Sequence, residues 1–243
     1  MVYHSATQPA KAYSIIPLNE SAALVSFGNA IDETVNQKVI ALHILVNNKP
    51  FKGFIDSLPA YSSLAVFYNP LEVIQNALKQ EPAFDFVKEY LNNILSKLPS
   101  SEAQEENQII KIPVLYDGED LEFVSKQHHL TIDKAIAIHT SKTYRIFMIG
   151  FLPGFPYLGT VDEHIATPRK NSPRISVPPG SVGIAGFQTG IYPQSSPGGW
   201  QLIGRTPIKI FDKQRSSTCL FMPGDSVRFY AIDQIEFQKR NEY

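Results

Sequence analysis

One arginine, Arg145, lies on a predicted strand in the second half of the chain, where it could bind an anion. In the segment YRIFMI, strand alternation places Arg145 on the same face as Phe147 and Ile149. An arginine on an otherwise apolar face needs a partner, because its charge is costly to bury alone. The partner is either a carboxylate or other anion of a ligand, or an Asp or Glu of the protein itself. The sequence leaves both open.

Other polar residues follow the same alternation. In WQLIGRTPIKI, Gln201, Arg205 and Lys209 share one face, and in QTGIYP Gln188 aligns with Tyr192. These side chains form either the polar wall of a binding site or a solvated outer face. We place Arg205 on a strand next to that of Arg145, as a second contact for an anionic substrate.

The segment TPRKNSPR holds a compact cationic patch of Arg169, Lys170 and Arg174. Guanidinium groups bind phosphate through paired N–H donors, so the two arginines could hold a phosphate. Alternatively, the patch keeps a proline-rich loop soluble.

His139 follows a predicted helix, whose C-terminal dipole would favour the protonated imidazole. It could contact a substrate as an acid or anion ligand, or cap the helix. The six histidines show no metal-ligand spacing, so we expect no metal site.

The standard catalytic motifs are missing from the sequence. There is no GxxxxGK[ST] loop, GxGxxG after a strand, HExxH, CxxC or GxSxG. No residue is an evident nucleophile, and the catalytic residues stay unassigned. The single cysteine, Cys219, lies in the apolar run CLFM and is expected to be a small buried hydrophobe.

Composition excludes several classes of partner. The formal charge of −1 and pI near 6.6 provide no basic field for nucleic acid or an anionic membrane. No stretch approaches the roughly 20 apolar residues of a membrane span, and the first residues do not resemble a signal peptide. With one cysteine, the chain is expected in the reducing cytoplasm.

The elements that carry these residues fall into two predicted domains. The stretch 98–109 is polar and without periodicity, which indicates a linker. Before it, an order ββαββα, with one helix capped by Asp32 and another beginning at Pro70, predicts a small α+β domain over residues 1–97. The chain as a whole is expected to be mainly β.

After the linker, a strand and two short helices precede a series of short strands. The second helix is expected to be capped by Thr131. The strands are separated by PPG, PGG and PGD turns, which predicts a closed or sandwich-like β domain over residues 110–243.

Most of the chain's glycines lie between Ile149 and Arg205, where they define the path of the backbone. This density indicates either a shaped surface or a β domain with many tight turns. Within it, GFLPGFPYLG carries Phe151, Phe155 and Tyr157. Aromatic residues offer large contact areas at small entropic cost, so we expect these three at a partner interface.

These motifs resemble the allophanate hydrolase small-subunit family, whose members include a component of bacterial ATP-dependent 5-oxoprolinase and an inhibitor of a sporulation histidine kinase. Over the first 97 residues, only the order of the domains is similar. In the second half, the resemblance rests on GFLPGFPYLG at 150–159, TPR at 167–169, PGSVGIAG at 179–186, QTGIYP at 188–193, SPGGWQLIGRTP at 196–207 and FMPGD at 221–225, with support from IPVLYDG at 112–118 and IHTSKTYRIFMIGF at 138–151.

The resemblance implies a cyclophilin-like β-barrel as the second domain. It also implies a subunit of a hydrolase that opens the cyclic amide of 5-oxo-L-proline to L-glutamate and consumes ATP with Mg²⁺, which a partner subunit could bind. The expected partners are a larger barrel-type subunit and a third subunit. The residues that could meet substrate or developing charge are Arg145, Arg169, Arg174, Arg205, Gln188, Tyr192 and Gln201.

Two alternatives stay open. The chain could be a regulatory inhibitor that binds a sensor histidine kinase through its aromatic residues. It could also belong to a biotin-dependent carboxylase-hydrolase acting on urea or allophanate. No biotin acceptor segment of the Met-Lys-Met kind is present in the sequence.

Overall fold

The computed structural model describes residues 13–76, 81–98 and 109–243. The chain divides into two compact units, 1–102 and 103–243, and each has a hydrophobic core of its own. Apart from its two end residues, the predicted linker 98–109 lies outside the described residues.

The first unit is built on an antiparallel sheet with the strand order β1-β2-β4-β3. Helices α1 and α3 pack on it and share its core. The predicted order ββαββα is found, followed by one more helix. The elements are β1 (Ser14–Asn19), β2 (Ala22–Ser26), α1 (Glu33–Asn48), β3 (Phe54–Pro59), β4 (Ser63–Tyr68), α2 (Pro70–Asn76) and α3 (Ala83–Leu95).

Local chemistry sets the starts of these helices. The Asp32 side chain accepts a hydrogen bond from the Val35 N–H at 2.9 Å, which confirms the predicted cap of α1. Helix α2 begins at Pro70, as expected for a residue that lacks an N–H.

The second unit continues with strands and four short helical elements. They are β5 (Ile109–Val114), α4 (Leu121–Gln127), α5 (Ile132–Ser141), β6 (Thr143–Ile149), β7 (Pro156–Gly159), a 3₁₀ turn (Glu163–Ile165), β8 (Arg174–Val177), β9 (Ser181–Ala185), β10 (Gln188–Ile191), β11 (Ser196–Gly198), β12 (Gln201–Arg205), β13 (Ser226–Ala231) and α6 (Gln234–Arg240).

Seven of these strands form one curled sheet, with the order β12-β9-β10-β7-β6-β13-β5. Its two edges meet where Leu115, just after β5, exchanges two backbone hydrogen bonds of 2.9 Å with Arg205 at the end of β12. Strands β8 and β11 pair separately. The curl encloses the apolar core of the unit. With the helices of both units, the chain is mixed α/β rather than mainly β.

Two smaller expectations need correction. Strand β12 ends at Arg205, so Lys209 lies outside the strand on which it was predicted. Cys219 is only half-buried, with its backbone bridged to Phe211. Among the helices of the described ranges, none has the length and apolar character needed to cross a membrane.

Candidate functional site

A cleft of about 410 Å³ opens on the second unit. Its walls come from the turn after β5, the residues around the start of β9, strand β12 and its continuation, and helix α6 with the residues that follow it. The lining residues are Asp117, Gly118, Glu119, Pro178, Pro179, Ser181, Leu202, Gly204, Arg205, Thr206, Phe237, Asn241 and Tyr243.

Two glycines allow these segments to approach one another. Gly180 has φ +80°, and a Cβ there would lie 2.6 Å from the carbonyl oxygen of Thr206. The Thr206 N–H donates to the Gly180 carbonyl at 2.8 Å. A Cβ at Gly118 would clash with the backbone of β12 around Ile203. The close approach of these segments therefore requires glycine at both positions.

Arg205 is fixed on one side of the cleft by Asp117. The Arg205 Nη2 donates to Asp117 Oδ2 at 2.7 Å, and Nε donates to the same oxygen at 3.0 Å. The guanidinium carbon also lies 4.6 Å from the centre of the Phe237 ring, as in a cation–π contact. Within the described ranges, Nη1 has no acceptor, and the side chain is 45% exposed. One edge of the guanidinium is therefore held and another is open.

Ser181 lies directly across from Arg205 in the pairing of β9 with β12. It is only 5% exposed and lines the cleft. Its hydroxyl makes no hydrogen bond to any residue that the structure describes, and its oxygen is not one of the buried side-chain atoms without a partner, so it is open to the cleft. Sequence analysis did not single out Ser181, although it stands in the motif PGSVGIAG.

The predicted phosphate patch is largely occupied by carboxylates. Arg174 contacts Glu119 and Asp120 through its guanidinium and donates from Nη1 to the Trp200 carbonyl at 3.0 Å. Lys170 Nζ lies 3.1 Å from Asp120 Oδ1. Two of the three cations are therefore compensated within the protein, and phosphate binding by Arg174 stays a prediction.

The third cation of the patch is placed differently. Arg169 is exposed and makes no ion pair with any residue of the described ranges. Asp120, in contrast, is 5% exposed and accepts a hydrogen bond of 2.7 Å from the Leu202 N–H. The Asp120 carboxylate therefore anchors the loop of residues 168–174 to strand β12.

His139 is buried in the interior of the second unit, at 1% exposure, and not at a binding surface. Thr189 donates its hydroxyl proton to the Gly183 carbonyl at 3.0 Å, so it must accept from His139 Nε2 at 3.1 Å. Nδ1 then accepts from the Tyr116 hydroxyl at 2.7 Å. These hydrogen bonds assign the neutral Nε2–H tautomer.

Burial also lowers the pKa of His139 to about 3. Its ring stacks on Phe229 with 4.7 Å between the ring centres. The prediction of a protonated histidine at the helix end is therefore wrong, because desolvation outweighs the helix dipole. Thr131 does cap α5, accepting from the Lys134 N–H at 3.2 Å.

Arg145 and Arg205 do not lie on neighbouring strands, contrary to the prediction. Arg145 is on β6, and three strands separate β6 from β12 along the sheet. Its Nη1 donates to the Gly224 carbonyl at 3.3 Å, and the residue is half-buried. The register of β6 also shifts between Ile146 and Met148, so the simple alternation with Phe147 is broken.

The predicted polar wall does not form either. Tyr192 is 1% exposed and packs edge-on against Phe155, with 5.1 Å between the ring centres. Gln201 is 4% exposed and donates from Nε2 to the Pro168 carbonyl at 2.8 Å. Gln188 is half-buried at the start of β10. None of the three lines the Arg205 cleft.

The three aromatic residues expected at an interface are placed differently from one another. Phe155 is 1% exposed and contacts both Tyr157 and Trp200 within a buried cluster, so its placement at a surface is wrong. Tyr157 is half-buried. Phe151 is 63% exposed with φ +67°, an uncommon backbone conformation for an aromatic residue. Of the three, Phe151 is the one that offers a ring to a partner.

The second unit is a curled-sheet domain with a cleft, and the described residues of that cleft do not form a complete catalytic site. Comparison with known proteins shows to which family the chain belongs. Residues 13–221 match the carboxyltransferase domain, subdomain C and D. The chain is also 43% identical to one of the 5-oxoprolinase subunits of Bacillus subtilis, over 95% of this chain and 97% of that protein. The chain belongs to this carboxyltransferase subdomain family, together with the Bacillus protein.

Two other relatives are much longer than this chain. The solved structure of TTHA0988 superposes with a TM-score of 0.76 at 35% identity, covering 87% of this chain and 40% of that one. The urea amidolyase of Lachancea kluyveri is 26% identical over 90% of this chain, which corresponds to 13% of that protein. In these two proteins, the segment similar to this chain is one part of a larger polypeptide.

Proposed function

We propose that the chain is one subunit of a cytoplasmic, ATP-dependent hydrolase complex that opens 5-oxo-L-proline to L-glutamate. The observation that carries this proposal is the similarity to the 5-oxoprolinase component of Bacillus subtilis over nearly the full length of both chains. The proposal includes a cyclophilin-like architecture for the second unit, consistent with its curled sheet.

The residues that line the cleft are not sufficient for catalysis, which supports a role within a complex of several subunits. Ser181 contributes a hydroxyl to the cleft, and among the described residues no general base is hydrogen-bonded to it, as a serine nucleophile would require. An unstrained lactam is a poor electrophile, and transfer of a phosphoryl group to its oxygen creates a leaving group. The complex must therefore supply both the phosphoryl donor and the attacking group. We propose a larger barrel-type subunit and a third subunit as the partners.

We propose that ATP binds to a partner subunit and not to this chain. The cationic patch of residues 169–174 does not fit a triphosphate well, because Glu119 and Asp120 already neutralise Arg174 and Lys170. The sequence also contains no phosphate-binding glycine loop. MgATP would then reach the substrate from the partner side of the assembled complex.

As a second candidate function, the chain is one part of a biotin-dependent carboxyltransferase. It is favoured by the match to the carboxyltransferase domain and by the similarity to urea amidolyase. In that case, a biotinyl group carried by another protein would enter the site. Inhibition of a histidine kinase stays a prediction.

The test is glutamate release from 5-oxoproline and ATP by purified subunits. We expect none from this chain alone, none from the partners without it, and turnover when all are combined. Turnover by this chain alone would contradict the proposal. Loss of glutamate release in the full mixture, with biotin-dependent carboxylation of a urea-type substrate instead, would favour the second candidate.

A further inference from the structure

We propose that Arg169 acts in trans: in the assembled complex, its guanidinium contacts the phosphoryl group of MgATP bound to a partner subunit. This role rests on the proposed function, in which a partner holds ATP. Arg169 lies in the loop that leads from the 3₁₀ turn to strand β8. Of the three cations in the segment 169–174, it is the one that makes no ion pair with a described residue.

The backbone of this loop is fixed on both sides of Arg169. The Pro168 carbonyl accepts a hydrogen bond of 2.8 Å from Nε2 of Gln201, whose side chain is buried. The Lys170 N–H donates to the Gly199 carbonyl at 2.7 Å. Arg169 itself is exposed. Because its two neighbours in sequence are held, a contact with another subunit has less conformational freedom to remove.

The charges around the loop leave one positive charge unmatched. Arg174 contacts the carboxylates of Glu119 and Asp120, and Lys170 Nζ lies 3.1 Å from Asp120 Oδ1. Three cations therefore share two carboxylates, and both carboxylates are engaged by the neighbours of Arg169. The counter-anion of Arg169 is then expected to come from another molecule.

Two kinds of anion could fill this role, a carboxylate of the partner subunit or a phosphate. An exposed ion pair between two side chains contributes little and needs no fixed backbone beside the cation. Stabilising a charge that develops during a reaction does need it, because the donor must already lie where the charge appears. The planar guanidinium also matches phosphoryl oxygens with paired N–H donors. In a complex that consumes ATP, the phosphoryl group is therefore the better fit.

The transfer step shows what Arg169 would do. The lactam oxygen forms a bond to the γ-phosphorus, and the bond from that phosphorus to the bridging oxygen breaks, so that ADP leaves with the electron pair. The product is an O-phosphorylated iminium whose nitrogen still carries its proton. Arg169 transfers no proton, since a guanidinium stays protonated. It donates to the oxygens of the phosphoryl group in transfer, and an arginine supplied in trans accelerates such reactions about 10³–10⁵-fold.

Association of the subunits tests this role without turnover. The affinity of this chain for the partner subunits is measured by calorimetry in the presence of 5-oxoproline. The three conditions are no nucleotide, MgADP, and MgADP with aluminium fluoride, which mimics the phosphoryl group in transfer. We expect aluminium fluoride to tighten association of the wild type at least about tenfold, as expected for a hydrogen bond to a charged group. Arg169→Ala should show no such tightening and an unchanged affinity without nucleotide.

Steady-state kinetics of the assembled complex give the second measurement. Arg169→Ala should lower kcat for glutamate release about a thousandfold, with little change in the KM for 5-oxoproline. Arg169→Lys keeps the charge but loses the paired donors, so it should recover only part of the rate. Arg228→Ala is the control, because Arg228 is also exposed and makes no ion pair with any described residue. Its affinity and kcat should match the wild type, and the thermal midpoints of all three variants should stay close to that of the wild type.

The outcomes separate this role from the proposed function. If Arg169→Ala weakens association equally under all three conditions and keeps its kcat, Arg169 forms an ordinary ion pair with the partner and the inference is wrong. It is also overturned if a wild-type complex that releases glutamate is not tightened by aluminium fluoride, or if the tightening persists in Arg169→Ala. In each of these cases, glutamate release by the wild type upholds the proposed function. If the partner subunits bind no ADP and the complex releases no glutamate, both fail.

Discussion

Two polar regions of the second unit differ in how their hydrogen bonds are completed. Around His139, each donor is matched within the protein: Tyr116 donates to the imidazole, the imidazole donates to Thr189, and Thr189 donates to a backbone carbonyl. In the Arg205 cleft, the guanidinium keeps one open edge, and Ser181 has no partner among the described residues.

The difference indicates which region is structural and which is available to a ligand. A complete network rigidifies a core and gains nothing from a further molecule, whereas open donors in a cleft are stabilised by one. In the sequence, His139 and Arg205 carry similar weight, because both are polar residues that could contact a substrate. Their surroundings, and not their residue types, separate them.

The largest expected effect comes from the closed interior, at Phe155. Because this ring is buried among Tyr157, Tyr192 and Trp200, Phe155→Ala should lower the free energy of unfolding by about 3–5 kcal/mol. Phe151→Ala removes an exposed ring whose centre lies 5.7 Å from that of Phe155 in an edge-on contact, and it should lower the free energy of unfolding by only about 0.5–1.5 kcal/mol. Denaturant titration of both variants measures this difference. Equal stabilities would contradict the buried placement of Phe155.

The second-largest expected effect is a loss of stability at low pH, which is caused by His139. The folded-state pKa of His139, about 3, lies below the ordinary value of 6.5, so the unfolded chain takes up a proton first as the pH falls. Stability should therefore decline below pH 6.5 and continue to decline toward pH 3. Between pH 7 and pH 5, the contribution of His139 is a loss of about 2 kcal/mol.

A matched variant isolates this contribution. His139→Gln cannot titrate, so the difference in unfolding free energy between the wild type and this variant should shrink on going from pH 7 to pH 5. Other histidines and the carboxylates titrate in both proteins and cancel from that difference. A difference that is constant with pH would show that His139 is not held neutral in the folded state.

Features that depend on neighbours in sequence were predictable. The caps at Asp32 and Thr131 each accept an N–H three residues further on, and Pro70 starts a helix because of its own ring. The predicted PPG turn is also found, because Gly180 takes φ +80° directly before strand β9. Such signals need no knowledge of distant contacts.

Features that depend on register or on distant partners were not predictable. The pairing shifts in β6 and in β12 alter the faces of the strands, which is why Gln201 is buried when a simple alternation placed it with Arg205. The partner of Arg174, Asp120, is 54 residues away in sequence. Ser181 acquires its meaning from Arg205 across the sheet, a pairing that its motif does not reveal.

The last prediction concerns Arg205→Lys, for which a small effect on stability is expected and which gives the sharpest test of the comparison. Its ion pair with Asp117 is exposed, so the loss of stability should stay below about 1 kcal/mol. Lysine keeps the charge but cannot hold Asp117 through two nitrogens while offering a third, so glutamate release by the assembled complex should fall about tenfold.

Arg145→Lys is the matched substitution on a strand away from the cleft, and we expect near-normal turnover with a lower thermal midpoint, since Arg145 is half-buried against the Gly224 carbonyl. Turnover and thermal midpoint, measured for both variants, show whether catalysis depends on the Arg205 cleft or on the strand of Arg145. If Arg145→Lys loses as much turnover as Arg205→Lys while its midpoint is unchanged, the ligand reaches both strands and the cleft is not the whole site.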